Sequence, residues 1–175
     1  IVSHADTVIR VGDSVSVGAD QKVESDFYAR GNSVSMSGEI AGDMYAIGGS
    51  VTVNGGVSED LSVVGGVTQV HATVTDDIRI VGGEVVIAEG VGGDVFVVGG
   101  ILKVLSSAKI SGDIYFFGGE ADISGQIDGS VYGTAEKIRI DSLIGKSVDV
   151  KVTRGLTLGD RANITGDVRF ESDHD

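Results

Sequence analysis

The sequence predicts an all-β fold: a single-stranded β-helix, or β-solenoid, of about nine coils of ~17 residues. Three observations predict it. The dipeptide Gly-Gly recurs at residues 48–49, 65–66, 82–83, 99–100 and 118–119, each time after a short apolar strand. An apolar residue stands three positions before nearly every coil start, at Val23, Ile40, Val57, Val74, Val91, Ile110, Ile127, Ile144 and Ile164. Within a coil, apolar residues alternate, as in strands with one face buried. A period this short marks repeats that stack as successive coils.

Coils begin at Asp26, Asp43, Asp60, Asp77, Asp94 and Asp113, then at Ser130, Ser147 and Asp167, with a partial first coil near Thr7. The opening Asp is expected to bond nearby backbone N–H groups as an Asx-turn. In the first strand the second position (Phe27, Met44, Leu61, Ile78 and their equivalents) and the fourth (Ala29, Ala46, Val63, Ile80, through Gly133 to Phe170) face inward. The glycine pair then makes a bend, where positive φ is expected because glycine lacks Cβ. A second strand follows, with Val51 and Val53, Val85 and Ile87, Ile138 and Ile140, and Leu156 and Leu158 inward. The third side carries Val57 and its equivalents. Three short strands per coil imply a triangular cross-section, and successive coils should sit about 4.8 Å apart in a rod on the order of 45 Å long. The step from second strand to third side grows by two residues at Val17 to Val23, Val104 to Ile110 and Leu158 to Ile164, which lengthens a surface loop.

One domain is expected: a tail at residues 1–6, a β-helix over 7–170 and an acidic tail over 171–175. The chain has 28 Gly, no Pro, no Trp and no Cys. Disulfides and thiolate metal sites are therefore excluded. Charges at Glu84, Glu89 and Asp94 interrupt the apolar stretches and rule out a membrane-spanning helix. A net charge of −13 disfavours nucleic acid and anionic lipid as partners. Ser3-His4-Ala5 fits the small-x-small pattern before a secretory cleavage site, so a secreted, periplasmic or cell-surface location is expected; an arbitrary boundary is the alternative.

The motif Asp-φ-x-φ-φ-Gly-Gly followed by x-φ-x-φ is clearest at Asp43–Val53 and Asp94–Val104. Across most of its length the chain resembles bactofilin-type, polymer-forming β-helix proteins. The resemblance implies a right-handed triangular β-helix that assembles end to end without bound nucleotide. The chain departs from that pattern in its larger number of coils and its exported character, and so looks more like a secreted variant.

Four groups of residues are candidate sites. A β-helix exposes unpaired backbone groups at its terminal coils, and such edges template strand addition. The expected assembly ends are Val8, Val15 and Val17 at one end and Ile164, Val168 and Phe170 at the other; solvated or capped ends are the alternative. Arg10 falls on an inward position, where a charge can block pairing, so the C-terminal coil is expected to be the stickier end. A lateral contact face is expected from the third and fifth positions, namely Tyr45, Ile47, Val64, Val81, Phe96, Val98, Tyr115 and Phe117. The competing reading tucks the fifth-position side chains into the corner.

Stacking would bring Glu59 and Asp60 close to Asp76 and Asp77, where a hard cation such as calcium could bind. The competing reading gives these acids a turn role only. For catalysis, His4, His71 and His174 are far apart in the repeat, and no nucleophile elbow, P-loop or dinucleotide fingerprint occurs. No enzyme and no cofactor are expected. These residues point to a structural protein that self-assembles through its terminal coils into filaments or a surface scaffold. The alternative is a monomeric binding module, or adhesin, that presents the aromatic face or acidic corners to a surface glycan or protein.

Overall fold

The computed structural model describes residues 7–172. The expected tails at 1–6 and 173–175, with His4 and His174, lie outside the described residues. All-parallel strands wind into a β-solenoid of about ten turns, counting the partial first coil, and the described residues contain no helix. The successive strands Phe27–Met36, Met44–Val53, Leu61–Val70, Ile78–Ile87, Val95–Val104, Ile114–Ile123, Val131–Ile140 and Val148–Leu158 each pair with the one before and after. The register places equivalent positions side by side, for example Met44 on Leu61 and Val53 on Val70. The last strand, Val168–Ser172, continues two residues past the expected boundary at Phe170.

Each long strand runs through the glycine pair, where two strands were expected. The inward positions still show the bend: Met44 and Ala46 are buried, then Val51 and Val53. Unbroken alternation would bury residues 48, 50 and 52, so the parity is reset across Gly48 and Gly49. The glycines do this without positive φ, contrary to the sequence expectation. Among the described residues only Gly133 (φ 147°) and Gly155 (φ 137°) adopt it. The pairs are glycine because their backbones stack too closely for a Cβ. A Cβ on Gly66 would lie 2.7 Å from the carbonyl oxygen of Gly49, one on Gly83 2.8 Å from that of Gly66, and one on Gly100 2.8 Å from that of Gly83.

Where the pair is replaced, the corner is rebuilt. Ala135 and Val152 turn inward and are buried, and the register shifts between Ala135 and Lys137. Gly133, expected to continue the fourth-position column, adopts left-handed backbone just before this bulge. Gly155 accommodates the extra residue of the eleven-residue strand Val148–Leu158.

The core is one continuous set of stacked columns. On the third side Ile40, Val57, Val74, Val91 and Ile110 bridge in turn, then Ile110, Ile127, Ile144 and Ile164. The three two-residue expansions form tight turns, closed by hydrogen bonds from the backbone N–H of Gln21 to Gly18 O, of Ala108 to Leu105 O and of Ala162 to Gly159 O. One polar group interrupts the apolar columns. Thr68 is fully buried between Val51 and Val85, and its hydroxyl has no partner. An unsatisfied buried hydroxyl is destabilising, and valine has the same shape. Thr68→Val is therefore expected to stabilise the fold by about 1 kcal/mol, read as a raised denaturation midpoint with unchanged m-value.

The opening aspartates form a ladder between coils, where Asx-turns within each coil were expected. The backbone N–H of Asp43 donates to the Asp26 carboxylate at 3.0 Å, that of Asp60 to Asp43 at 2.9 Å and that of Asp77 to Asp60 at 3.0 Å. The series continues from Asp94 to Asp77, from Asp113 to Asp94 and from Ser130 to Asp113 at 2.7–2.8 Å. Serine hydroxyls take over at Ser130 and Ser147 and accept from Ser147 and Asp167 at 3.2 Å. At this corner the chain turns out of the sheet, and the side chain one coil below supplies the acceptor that a regular strand would have found in a carbonyl.

Candidate functional site

The two ends of the rod differ. At the N-terminal end the strand Val8–Val11 pairs with Phe27–Arg30 and the strand Ser14–Val17 with Ser33–Met36. Arg10 occupies the inward fourth position, opposite Ala29. Its guanidinium lies 5.7 Å from the centre of the Phe27 ring and donates to the Ser16 carbonyl, crossing from one side of the coil to the other. Val15 and Val17, expected as an open assembly edge, are buried at 5% and 2% exposure, and Val8 is half-buried against the core. They are therefore not the free apolar surface that the sequence suggested.

The C-terminal coil is open by contrast. Leu158, Val168 and Phe170 are 47%, 41% and 58% exposed, whereas Ile164 remains half-buried against the core. These residues extend columns that are fully buried one coil earlier at Ile140 and Val148 and nearly so at Val150. Apolar side chains that a further coil would cover here meet solvent.

The outward face of the first strand is the second candidate. Its third-position column runs Tyr28, Tyr45, Ser62, Arg79, Phe96, Tyr115, Tyr132, Asp149, Arg169, and its fifth-position column Arg30, Ile47, Val64, Val81, Val98, Phe117, Thr134, Lys151, Glu171. Ile47, Val64 and Val81 are half exposed and do not tuck into the corner; Val98 and Phe117 are also exposed. The aromatic rings stack on one another: Tyr28 with Tyr45 at 4.6 Å between centres and Tyr115 with Tyr132 at 5.3 Å. Phe96 packs at a tilt on Tyr115 and Phe117. Between Tyr45 and Phe96, the small Ser62 leaves an apolar groove of about 530 Å³ over Val64 and Val81.

The acidic corner borders this face. Tyr45 donates from its hydroxyl to the Asp43 carboxylate at 3.0 Å, and that bond, aided by burial, pushes the phenol up to about 12. Arg79 spans two rungs, donating to Asp60 and Asp77 at 2.6 Å each. Burial alone would raise the Asp60 pKa. The hydrogen bond from Arg79 and the backbone N–H of Asp77 outweigh it and hold the carboxyl below the usual aspartate range. Away from this face, the backbone N–H and guanidinium of Arg161 likewise depress Asp141 at one of the expanded turns.

The structure does not assemble Glu59, Asp60, Asp76 and Asp77 into one cation site. Arg79 neutralises Asp60 and Asp77, and Glu59 falls instead beside Asp26 and Asp43. Those three carboxylates are the group, among the described residues, whose oxygens all lie within 4.8 Å of one another. Two of the three acids already accept the ladder's backbone N–H groups. His71 is exposed just after the strand Leu61–Val70.

Sequence reasoning missed the bracing roles of Arg79 and Arg161. Arg79 does interrupt the aromatic third-position column beside two opening aspartates, which is the signal that could have pointed to it. Comparison of the chain with protein-family models, with curated proteins and with solved structures finds no match in any of the three.

Proposed function

We propose that this protein is a structural scaffold that self-associates by stacking its C-terminal coil on the N-terminal coil of another copy. The observation that carries the proposal is the exposure of Val168 and Phe170, whose counterparts one coil earlier, Val148 and Val150, are buried. Closing that end would bury apolar surface worth about 25 cal/mol per Å², less the cost of association. The backbone of Val168–Ser172 offers an outer strand edge to the same incoming coil.

In such a junction, the fourth position above Phe170 is filled by Arg10 of the next copy. Within its own chain Arg10 already lies near a ring, that of Phe27 at the second position of the following coil. A guanidinium over an aromatic face is attractive, more so when water is excluded. Stacking is therefore polar, head to tail, with one end supplying the ring and the other the cation.

Phe170→Asp places a carboxylate at the apolar end and keeps the interior intact. We expect wild-type protein to form rods longer than one molecule by negative-stain microscopy, and Phe170→Asp to yield single rods with an unchanged melting temperature. Filaments of normal length from the variant would overturn the end-to-end mechanism. A wild-type protein that stays monomeric at all concentrations would favour a binding module using the groove between Tyr45 and Phe96.

A further inference from the structure

The aromatic third-position column leaves one rung unfilled. Tyr28 and Tyr45 stack along the rod with ring centres 4.6 Å apart and planes within 13° of parallel. Tyr115 and Tyr132 repeat the arrangement at 5.3 Å. Between these stacks the column passes through Ser62, Arg79 and Phe96. Tyr28 covers one face of Tyr45, and among the described residues no ring or guanidinium stacks on the other. That face borders the groove at Ser62, whose side chain is too small to fill its rung. Arg79 stands two rungs beyond Tyr45, about 9.6 Å at the ordinary strand spacing. One flat ring at the level of Ser62 would lie about 4.8 Å from each, close to the separations at which the tyrosines stack.

The neighbouring coils show which ring suits the slot. The Tyr45 hydroxyl donates to the carboxylate two residues before it, Asp43, at 3.0 Å, and Tyr115 reaches Asp113 in the same way at 3.4 Å. Asp60 holds that place relative to Ser62. Its Oδ1 accepts the backbone N–H of Asp77 and its Oδ2 accepts from Arg79. A carboxylate oxygen has two acceptor sites, so Oδ2 keeps one for an incoming hydroxyl.

Charge complementarity then selects among ring types. The Arg79 guanidinium, held by Asp60 and Asp77 at 2.6 Å each, forms one wall. A flat guanidinium stacks on the negative face of an electron-rich ring and repels a cation. At the Tyr45 side, Asp43 with Asp26 and Glu59 repels an anion. The opposite edge of the slot is apolar, with Ile47 and Val64 half exposed. A neutral ring with an O–H donor on one edge meets all four walls. We infer that the slot at Ser62 binds a small neutral phenol, sandwiched between the Tyr45 ring and the Arg79 guanidinium with its hydroxyl donating to Asp60. The slot is open to solvent on its outer side, so binding is weak. Occupancy there neither requires nor prevents stacking at the ends of the rod.

Fluorine NMR titrations with three matched probes test this. 4-Fluorophenol is neutral at pH 7, because a phenol ionises near pH 10. It should show saturable binding with a dissociation constant of about 1–10 mM. Fluorobenzene, which lacks the donor, should bind at least ~5-fold more weakly. The anion 4-fluorobenzoate should bind no more tightly than fluorobenzene. Ser62→Tyr supplies the missing ring from the chain itself and should abolish 4-fluorophenol binding, with the melting temperature kept or raised. Arg79→Lys keeps the charge but removes the flat face, and should weaken binding at least ~3-fold.

Three results would each overturn the assignment: no saturable binding of 4-fluorophenol to wild type, equal binding of fluorobenzene, or undiminished binding to a folded Ser62→Tyr variant. If melting curves show that Ser62→Tyr does not fold, the order of the three probes on wild type and the loss in Arg79→Lys decide the question. Rod length without ligand judges the end-to-end proposal separately.

Discussion

Replacing Gly118 by alanine is expected to destabilise the fold by about 3 kcal/mol or more. The new Cβ would overlap the carbonyl oxygen of Gly99 and crowd the Phe116 ring. Neither neighbour can yield. The Gly99 carbonyl belongs to a paired strand whose own spacing is fixed by the coils on both sides, and Phe116 is buried at 1% exposure. Relief would require the coils to separate by a sizeable part of their spacing, which breaks backbone pairing on all three sides.

Gly56→Ala is the matched control. A Cβ at Gly56 meets only the Thr73 carbonyl oxygen, at 3.9 Å, and Gly56 does not have positive φ. Alanine there is expected to be neutral or to stabilise by up to about 1 kcal/mol, through a less flexible unfolded chain. Urea denaturation of the two variants beside wild type separates the effects. Equal effects at both positions would mean that close stacking is not why glycine occupies the corner.

The second large effect is expected at Asp94. Its carboxylate accepts the backbone N–H of Asp113 at 2.8 Å, and its own N–H donates to Asp77. Asp94→Ala removes the acceptor and leaves the Asp113 N–H unsatisfied at a half-buried corner, a loss of about 2 kcal/mol. Asp94→Asn keeps an acceptor oxygen and removes one charge from a column of acids at successive rungs. It is expected to retain most of the stability. If the asparagine variant is as unstable as the alanine variant, the carboxylate's charge, and not its hydrogen bond, holds the corner together.

The inward columns were legible in the sequence because burial repeats without regard to which apolar residue fills the site. All the third-side residues from Val23 to Ile144 are buried, and Phe27 to Val148 fill the second position as expected. The roles of Asp and Gly were harder to read, because one residue type serves two geometries. Aspartate at a turn can bond its own segment or the coil above, and only the distance between corners selects the second. Gly-Gly signals a bend under either account, since positive φ and close stacking both select for the absence of Cβ.

Arg10 was recognisable as an inward charge, but its reach across to Ser16 and the burial of Val15 and Val17 depend on how the first coil closes on itself. The exposed fifth position was left open in the sequence, because alternation alone cannot say how sharply the corner folds. Ile47 and Val64 settle that point by standing clear of it.

The three expanded turns give the molecule a graduated edge. They sit at one angular position around the axis, in the first, sixth and ninth coils, so their heights follow from counting rungs at about 4.8 Å each: roughly 24 Å from Gly18–Gln21 to Leu105–Ala108, and roughly 14 Å more to Gly159–Ala162. Peptide epitopes or dyes grafted at these hairpins would be held in line at known separations, which makes the chain a molecular ruler.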